Sequence, residues 1–488
     1  MSALDPSAEL IRRMGADALD WVARYYESLR ERSVYPPTSA AELRAALEEP
    51  LPQEGREYAR LLDVFRDVIV PHTRHNGHPR FFGYVSAPGT AVAAIADFLA
   101  SALNPNVTAW RSAPAPAQLE RVTIDWIKEA LGCDPGAAGL FVSGGSIANF
   151  SALAAARQRH CGDAVSREGL RAFPKPLRIY VSQEGHHSIE KAAALLGLGH
   201  TSVRRVAVDA RFRMDVDALA KTIEADRAAG AEPFCVVASA GTVVTGAVDP
   251  LSDVSAVARR YGLWMHVDAC YGGFAALAPS VRPLFADLGG ADSIALDPHK
   301  WLYLPADCGC VIYRDPAAAR PAFALGADYT RVMQSDPDEA FAFWDYGPEL
   351  SRRFRALKVW MVLAHAGARA VGEAIESNLE CARHVARRVD ESPDLERMAP
   401  VELSIFCFRY VPEALRLTRP RTEAEERELD RFNERLLVAL QQGGSSYLSN
   451  ASLGGRFALR GCVLNYRTTR DDMETLLDDV RRAAAAMA

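Results

Sequence analysis

A lysine that closes an apolar run predicts carbonyl chemistry in this chain. Lys300 lies in the segment Asp-Pro-His-Lys-Trp at 297–301, directly after the apolar run 291–296. A surface lysine after an ordinary proline turn is one interpretation of this position. Lysine is almost never fully buried without a partner, but a desolvated lysine loses its charge, and a neutral amine forms a Schiff base with an aldehyde. We therefore expect Lys300 to be a neutral amine nucleophile.

An aspartate closes a second apolar run upstream. Asp268 ends the run 264–268, and a glycine pair follows at 272–273. The separation of Asp268 from Lys300 is about that of one strand–helix–strand unit, so two neighbouring strand ends bring the acid and the amine to one crevice, where open α/β sheets bind ligands. Pyridoxal 5'-phosphate (PLP) requires this pair: the lysine holds its aldehyde, and the acid partners its pyridinium nitrogen. The two residues therefore predict a PLP site.

Strands that alternate with helices from about residue 90 to 320 predict an α/β fold with a mostly parallel sheet. The motifs at 266–269 and 297–301 resemble those of the group II PLP-dependent decarboxylases, above all the aromatic amino acid decarboxylases, and similar segments run along nearly the whole chain. This resemblance implies fold type I, with a seven-stranded sheet in a large PLP-binding domain, a helical N-terminal segment and a small α+β C-terminal domain. The expected ranges are 1–88 for the N-terminal segment, 89–365 for the large domain and 366–488 for the small one.

A Gly-Gly-Ser loop follows the apolar run 140–142 and precedes an Ala-rich run. Glycine lets the backbone approach a ligand, and the N-terminus of a helix attracts an anion. By the resemblance this loop holds the PLP phosphate, and His186 stacks on the pyridine ring. The resemblance assigns the cofactor site to Gly145, Ser146, His186, Thr242, Asp268, Asp297, His299 and Lys300.

The resemblance also implies the reaction, α-decarboxylation of an L-amino acid to the amine and CO2. Its catalytic residues correspond to Lys300, Asp268, His186 and Tyr329. Tyr329 lies in the long irregular stretch 325–346, and such stretches in enzymes are often lids. It matches a family tyrosine that delivers a proton to the reacting carbon.

Four positions bear on the substrate. Tyr84 matches a substrate-contacting tyrosine of the aromatic decarboxylases. Asn76 stands where that family has tryptophan, and Val85 and Thr108 stand where it has phenylalanine. We therefore expect a roomier, more polar pocket, with an aromatic or other neutral L-amino acid as the substrate.

Three alternatives remain open. An aldehyde synthase of the same fold forms aldehyde and peroxide in place of amine. A decarboxylase of acidic amino acids needs a cation for the distal carboxylate, and Arg80 is the one nearby candidate. A non-catalytic binding protein could use the same fold, but Lys300 and Asp268 argue against it.

The overall composition predicts a cytoplasmic protein that binds neither nucleic acid nor membrane. The 488 residues carry a net charge of −6, whereas a nucleic-acid binder is usually basic. The nine cysteines contain no C-x-x-C pair, so we expect neither a disulfide framework nor a metal site. The start of the chain has charged residues in place of an apolar leader. The apolar stretch 91–103 is too short to span a membrane and contains Asp97.

The first helix is expected to start at the Asp-Pro pair 5–6 and to carry one apolar stripe. In the resembled family this segment lies across the second subunit of a homodimer whose active sites are at the interface. Packing on its own subunit is the alternative. In the C-terminal region, strands are expected at 401–408 and 458–463.

Overall fold

The computed structural model describes residues 4–324, 336 and 339–487. Within these ranges the chain folds into two sheets with helices around them. None of the described helices combines the length and the apolar character needed to cross a lipid bilayer.

Three helices lie in the N-terminal segment. The first starts later than the pair 5–6 predicts, because the Ser7 hydroxyl accepts a hydrogen bond from Leu10 N–H and caps the helix there. No side chain of this helix is fully buried in the single chain, and Ile11 and Leu19 are exposed. The three helices are α1 (Ala8–Glu27), α2 (Ala40–Leu47) and α3 (Tyr58–Val64).

Seven short buried runs form the central sheet: β1 (Ala138–Val142), β2 (Leu177–Ser182), β3 (Val203–Val206), β4 (Glu232–Ser239), β5 (Trp264–Asp268), β6 (Ser293–Leu296) and β7 (Gly309–Tyr313). Their order is β1-β7-β6-β5-β4-β2-β3, and β7 alone among them runs antiparallel to its neighbours. The central strands are apolar without alternation, as expected for a sheet that is covered on both faces. The expected mostly parallel, seven-stranded sheet is confirmed.

Nine helices of the described residues pack around this sheet. One of them, the helix at Gly145–Cys161, is buried along most of its length and contacts β4, β5, β6 and β7. The nine are α4 (Ala91–Leu103), α5 (Pro114–Leu131), α6 (Gly145–Cys161), α7 (Asp163–Glu168), α8 (Ser188–Leu195), α9 (Val216–Ala228), α10 (Leu251–Tyr261), α11 (Pro298–Trp301) and α12 (Pro316–Ala319).

The connection between β5 and β6 differs from the strand–helix–strand unit that the spacing suggested. It consists of short 3-10 turns at Gly273–Leu277, Arg282–Phe285 and Leu288–Gly290. Prolines and a glycine pair interrupt this stretch, and neither residue type supports a continuous helix. The two strands are nevertheless parallel neighbours, as expected.

The long helix α13 (Ala356–Asp390) leads into the C-terminal region and bends at Gly367, where φ is 81°. Beyond it, a four-stranded antiparallel sheet has its own apolar core. The predicted domain limits stay a prediction, and the limit at 365/366 falls inside α13. The remaining elements are β8 (Leu395–Arg397), β9 (Ile405–Tyr410), α14 (Glu423–Gly443), β10 (Ser449–Leu453), β11 (Arg456–Cys462) and α15 (Arg470–Ala485).

The strand expected at 401–408 begins only at Ile405, because the preceding residues bind the large domain instead of a neighbouring strand. The Glu402 carboxylate accepts a hydrogen bond from Val248 N–H at 3.0 Å. Ser404 N–H donates to Tyr271 Oη at 3.1 Å. These contacts join the small domain to loops beside the candidate site.

Candidate active site

Five segments that follow strands of the central sheet enclose a cavity of about 360 Å³. They come after the carboxyl ends of β1, β2, β4, β5 and β6, which meet at one edge. Open α/β sheets bind their ligands at this edge. The lining residues are Ser143, Gly144, Gly145, Ser146, Ile147, Asn149, His186, Ser239, Gly241, Thr242, Val243, Asp268, Cys270, Tyr271, Asp297, His299 and Lys300.

Helix α11 carries Lys300 at this cavity, and the lysine is paired. Its Nζ lies 2.9 Å from Asp297 Oδ2. Burial lowers the pKa of the Lys300 ammonium, but Asp297, Cys270 and Asp268 raise it by more, so the net pKa is above its usual value. The expectation of a neutral lysine is therefore wrong for this structure, because a carboxylate three residues earlier supplies the counter-charge.

Asp268 ends β5 and is almost completely buried. Its Oδ1 accepts a hydrogen bond from Cys270 N–H at 3.2 Å, and its Oδ2 accepts one from Asn149 Nδ2 at 3.0 Å. Burial raises the pKa of the Asp268 carboxyl, but the hydrogen bond from Cys270 and the nearby His266 and Lys300 hold it below its usual value. The side chain is thus a carboxylate suited to a cationic ligand group.

Two residues that no motif in the sequence marks, Asn149 and Ser188, hold Asp268 and its neighbours in place. Asn149 lies on α6, where its amide also contacts Ser188 Oγ at 2.8 Å and His266 Nε2 at 2.8 Å. A buried asparagine within an Ala-rich helix was the available signal, because asparagine is a poor helix former unless its amide is used. Ser188 gave no signal beyond its position two residues after His186.

His186 lies between β2 and α8, on the cavity wall. Its Nδ1 is 2.8 Å from Ser188 Oγ and accepts a hydrogen bond from Ser188 N–H at 3.2 Å. Burial lowers the pKa of the His186 imidazole; Lys300 adds to this effect and Asp268 opposes it. The ring is therefore neutral near pH 7.

The predicted phosphate loop forms the N-terminus of α6. Gly144 O accepts hydrogen bonds from the N–H groups of Ile147 and Ala148, and the N–H groups of Gly145 and Ser146 have no backbone acceptor among the described residues. A Cβ on Gly145 would lie 2.4 Å from Cys270 Sγ, so only glycine fits there. This end of the helix provides N–H donors and a positive dipole end for an anion.

Three further predicted cofactor residues also line the cavity. Thr242 is buried, and its Oγ1 lies 3.1 Å from Thr245 Oγ1 within its own loop. His299 Nδ1 donates to Cys308 O at 2.7 Å, which places its proton on that nitrogen. Asp297 Oδ1 is buried without a hydrogen-bond partner. A polar group of a ligand can satisfy that oxygen only as a donor.

The four predicted substrate residues do not line this cavity of the single chain. Tyr84 is half exposed, and the Arg74 guanidinium lies 4.8 Å from its ring centre. Asn76 is exposed, whereas Val85 is half-buried and Thr108 is buried. The sequence alone could not show which of these side chains point inward.

Arg460 connects Tyr84 with the cavity rim and was also missed. It is almost completely buried; its Nη1 donates to Tyr84 O at 2.9 Å and its Nε donates to Val243 O at 2.8 Å. By contrast, Arg80 does not line the cavity. It donates to Ser445 O at 2.8 Å and lies 3.9 Å from Asp472. Tyr329 lies outside the described residues.

The residues present fit PLP. The helix N-terminus can hold a phosphate, Asp268 a pyridinium nitrogen and Lys300 an aldehyde, all around one cavity. The unpartnered Asp297 Oδ1 and the close packing at Gly145 indicate a site shaped for a polar ligand.

Comparisons with known proteins agree with this chemistry. A family model described as the pyridoxal-dependent decarboxylase conserved domain matches residues 40–411. The aromatic-L-amino-acid decarboxylase of Bacillus atrophaeus is 34% identical over 481 residues, which cover 99% of this chain and 97% of that protein. A phenylacetaldehyde synthase of a Rosa hybrid cultivar is 29% identical over 473 residues, with 94% and 91% covered.

A solved structure is similar over the full length. The crystal structure of Oryza sativa TDC with PLP and tryptamine matches with a TM-score of 0.91 and 27% sequence identity, and the match covers 100% of this chain and 99% of that one. The chain described above therefore belongs to the pyridoxal-dependent decarboxylase family, and it is a PLP-dependent lyase of fold type I.

Proposed function

We propose that this member of the pyridoxal-dependent decarboxylase family removes the α-carboxyl group of an L-amino acid with an aromatic or other neutral side chain, releasing the amine and CO2. The observation that carries the proposal is the convergence of Lys300, Asp268 and the N-terminus of α6 on one cavity. A binding protein without catalysis has no need of a buried lysine beside a buried carboxylate, since each costs free energy to desolvate.

Each predicted site residue has a proposed role in that cavity. Lys300 carries the PLP aldehyde, Asp268 partners the ring nitrogen and His186 faces the ring. Gly145 and Ser146 bind the phosphate, and Thr242, Asp297 and His299 complete the cofactor site. The catalytic group comprises Lys300, Asp268, His186 and Tyr329.

Bound in this cavity, PLP supplies an electron sink for the electrons that remain on the α-carbon when CO2 leaves. The chain sets the conditions for that chemistry. Asp268, held as a carboxylate by its hydrogen bonds, favours a protonated ring nitrogen, because an opposite charge stabilises the charged form. The ion pair with Asp297 stabilises the protonated form of Lys300, which would have to lose a proton before its amine could react.

The substrate class rests on two observations. Relatives of similar length include the aromatic-L-amino-acid decarboxylase of Bacillus atrophaeus and a tyrosine decarboxylase of Oryza sativa. The cation considered for an acidic substrate, Arg80, is bonded to the C-terminal region instead. We assign substrate contacts to Tyr84, Asn76, Val85 and Thr108.

We further propose a homodimer whose interface completes the substrate site. Those four residues lie outside the single-chain cavity, so a second subunit can close the space between them and the cofactor. Helix α4 exposes a continuous apolar face that such an interface would bury: Ile95, Phe98, Leu99 and Leu103. A cytoplasmic location is consistent with nine free cysteines and no disulfide.

The test is a panel of L-amino acids incubated with the purified enzyme and PLP, with CO2, amine, aldehyde and peroxide measured together. We expect CO2 and amine in equal amounts from an aromatic or other neutral amino acid. A clear preference for glutamate or aspartate contradicts the substrate class. No CO2 from any amino acid, with PLP bound, favours a binding protein.

One rival is favoured by a specific observation, the 29% identity to a phenylacetaldehyde synthase. An aldehyde synthase also releases CO2, so CO2 alone does not separate the two activities. Peroxide formed in equal amount with CO2 identifies the synthase, and amine without peroxide identifies the decarboxylase.

A further inference from the structure

A directed chain of hydrogen bonds runs behind the cavity. Trp264 Nε1–H donates to Ser293 Oγ at 2.8 Å, and His266 Nδ1 lies 2.9 Å from the same Oγ and 3.1 Å from the Ser293 carbonyl oxygen. An amide oxygen only accepts, so His266 Nε2–H donates to Asn149 Oδ1 at 2.8 Å. Burial lowers the pKa of the His266 imidazole to about 4.

The Asn149 amide links the hydrogen bonds above to two candidate catalytic residues, Asp268 directly and His186 through Ser188. Its amide nitrogen donates to Asp268 Oδ2 at 3.0 Å and to Ser188 Oγ at 2.8 Å, one hydrogen to each. The opposite amide orientation would place its oxygen against the Asp268 carboxylate, where two acceptors would repel each other. The Asp268 carboxylate, which only accepts, therefore fixes the orientation of the Asn149 amide.

The chain ends on His186. The Ser188 hydroxyl accepts from Asn149, and its own hydrogen points to His186 Nδ1 at 2.8 Å. Ser188 N–H donates to the same nitrogen at 3.2 Å. A nitrogen that accepts two hydrogen bonds carries no proton, so the ring proton of neutral His186 lies on Nε2.

We propose that Asn149 is a positioning residue that orients Asp268 and His186 together, so that His186 faces the cavity with its proton held on Nε2. This inference rests on the proposed function for the roles of Asp268 and His186, but the hydrogen-bond directions do not depend on it. Among the described residues, none hydrogen-bonds to His186 Nε2. That N–H is free to donate to a bound amino acid, while Asn149 keeps one oxygen of Asp268 in place.

The first test measures the tautomer of the His186 imidazole directly. Nitrogen-15 NMR of the enzyme labelled on its histidine rings should show His186 with an unprotonated Nδ1 and a protonated Nε2 near pH 7.5. Spectra of His186→Phe assign the signal. A proton on Nδ1, or on both nitrogens, overturns the proposal, and this measurement needs neither turnover nor a variant of Asn149.

The second test distinguishes the hydrogen bond from Asn149 to Asp268 from the one that leads through Ser188 to His186. Asn149→Leu, of similar size and without hydrogen bonds, should weaken PLP binding by on the order of 10-fold or more, because Asp268 loses a donor to its charged form. It should also shift the His186 Nδ1 signal. Ser188→Ala should shift that signal and leave PLP affinity near native, because the bond from Asn149 to Asp268 remains.

Asn433→Leu is the matched control, since Asn433 is equally buried and hydrogen-bonded in the C-terminal region. It should change neither PLP affinity nor the His186 signal. If Asn149→Leu does not fold, Asn149→Ala removes the same hydrogen bonds from a smaller side chain.

Native PLP affinity and an unchanged His186 signal in a folded Asn149 variant overturn the proposal. The proposed function and this inference can fail separately. If the protein decarboxylates no amino acid, but His186 has the expected tautomer and the Asn149 and Ser188 variants differ as described, the proposed function is refuted and this inference stands.

Discussion

Lys300 Nζ and Asp297 Oδ2 lie 2.9 Å apart across the single turn of α11. The side chains are only 15% and 5% exposed, so salt and water screen this ion pair little. Lysine attacks a carbonyl only as the neutral amine. The ion pair therefore favours the ammonium form of Lys300, which would have to lose a proton before it could react with the PLP aldehyde.

Replacing Asp297 should make this proton easier to lose. In Asp297→Asn the pKa of Lys300 falls, because the largest influence that raises it is gone. In enzyme stripped of PLP, the midpoint of the rate of PLP capture against pH should then move to lower pH, whatever the loss of the Asp297 contact does to the absolute rate. Stopped-flow absorbance measures this rate. Asp67→Asn, at an exposed ion pair, is the control, and an unmoved midpoint contradicts the assignment.

Lys300 itself is tested by Lys300→Ala. We expect loss of turnover and of the visible absorbance band of covalently bound PLP, because no other lysine lines the cavity among the described residues. Lys175→Ala, at a surface lysine that is 65% exposed, should keep both properties. A Lys300 variant that retained the band and the activity would show that the carbonyl is held elsewhere.

The central part of this site could be predicted from the sequence because it depends on short-range pattern. Two apolar runs that end in Asp268 and near Lys300 were enough to place both residues at one sheet edge, and the structure confirms their strands as parallel neighbours. The glycine loop at the start of α6 was likewise recognisable, since its conformation requires small residues.

Contacts between distant segments could not be predicted. Asn149 and Asp268 are 119 residues apart, and no motif links them. The charge of Lys300 was misjudged because burial and ion pairing oppose each other, and only the distance to Asp297 decides the result. The orientation of Tyr84 and Thr108 depends on packing that a residue pattern does not encode.

Acid should destabilise the fold through His78. This side chain is fully buried, and burial, with a contribution from Arg80, lowers its pKa to about 4. Between about pH 6.5 and pH 4 the unfolded chain binds the proton and the folded chain does not, so stability falls as the pH falls through that window. His78→Asn keeps an acceptor for Arg80 N–H but does not titrate.

Chemical unfolding measured at several pH values provides the test. The free energy of unfolding of the native protein, relative to His78→Asn, should decrease by up to about 3 kcal/mol from pH 7 to pH 4. His187→Asn, at a side chain that is 93% exposed, should show no such trend. A constant difference between native protein and His78→Asn would mean that His78 titrates normally in the folded state.

The apolar face of α4 should be a subunit interface. Phe98 and Leu103 are 61% and 67% exposed in the single chain, and burying such side chains stabilises association. The double variant Phe98→Glu with Leu103→Glu should sediment as a monomer and lose activity, since the substrate site is proposed to need both subunits. Leu195→Glu, at an equally exposed leucine on α8, should remain a dimer. A dimeric double variant contradicts this interface.

We expect Tyr329 to determine which of the two products that the family comparisons leave open is formed. It lies outside the described residues, so its role rests on the resemblance to a family tyrosine. Once CO2 has left, the α-carbon must gain a proton, and O2 competes for the same carbon. A phenol that acts as general acid raises the rate of protonation by on the order of 10²–10⁴-fold. We therefore expect amine as the main product of the native enzyme.

Tyr329→Phe removes that acid and keeps the ring. Amine formation should fall, peroxide should rise, and PLP should still bind, because Lys300, Asp268 and the α6 N-terminus hold the cofactor in our proposal. Amine and peroxide are measured in the same reaction, with oxygen uptake as a check. Tyr346→Phe is the control: that ring stacks on Phe341 with centroids 5.4 Å apart, so the change removes a hydroxyl and leaves the packing. If the native enzyme already forms peroxide in equal amount with CO2, Tyr329 does not protonate the α-carbon, and the aldehyde synthase is the correct assignment.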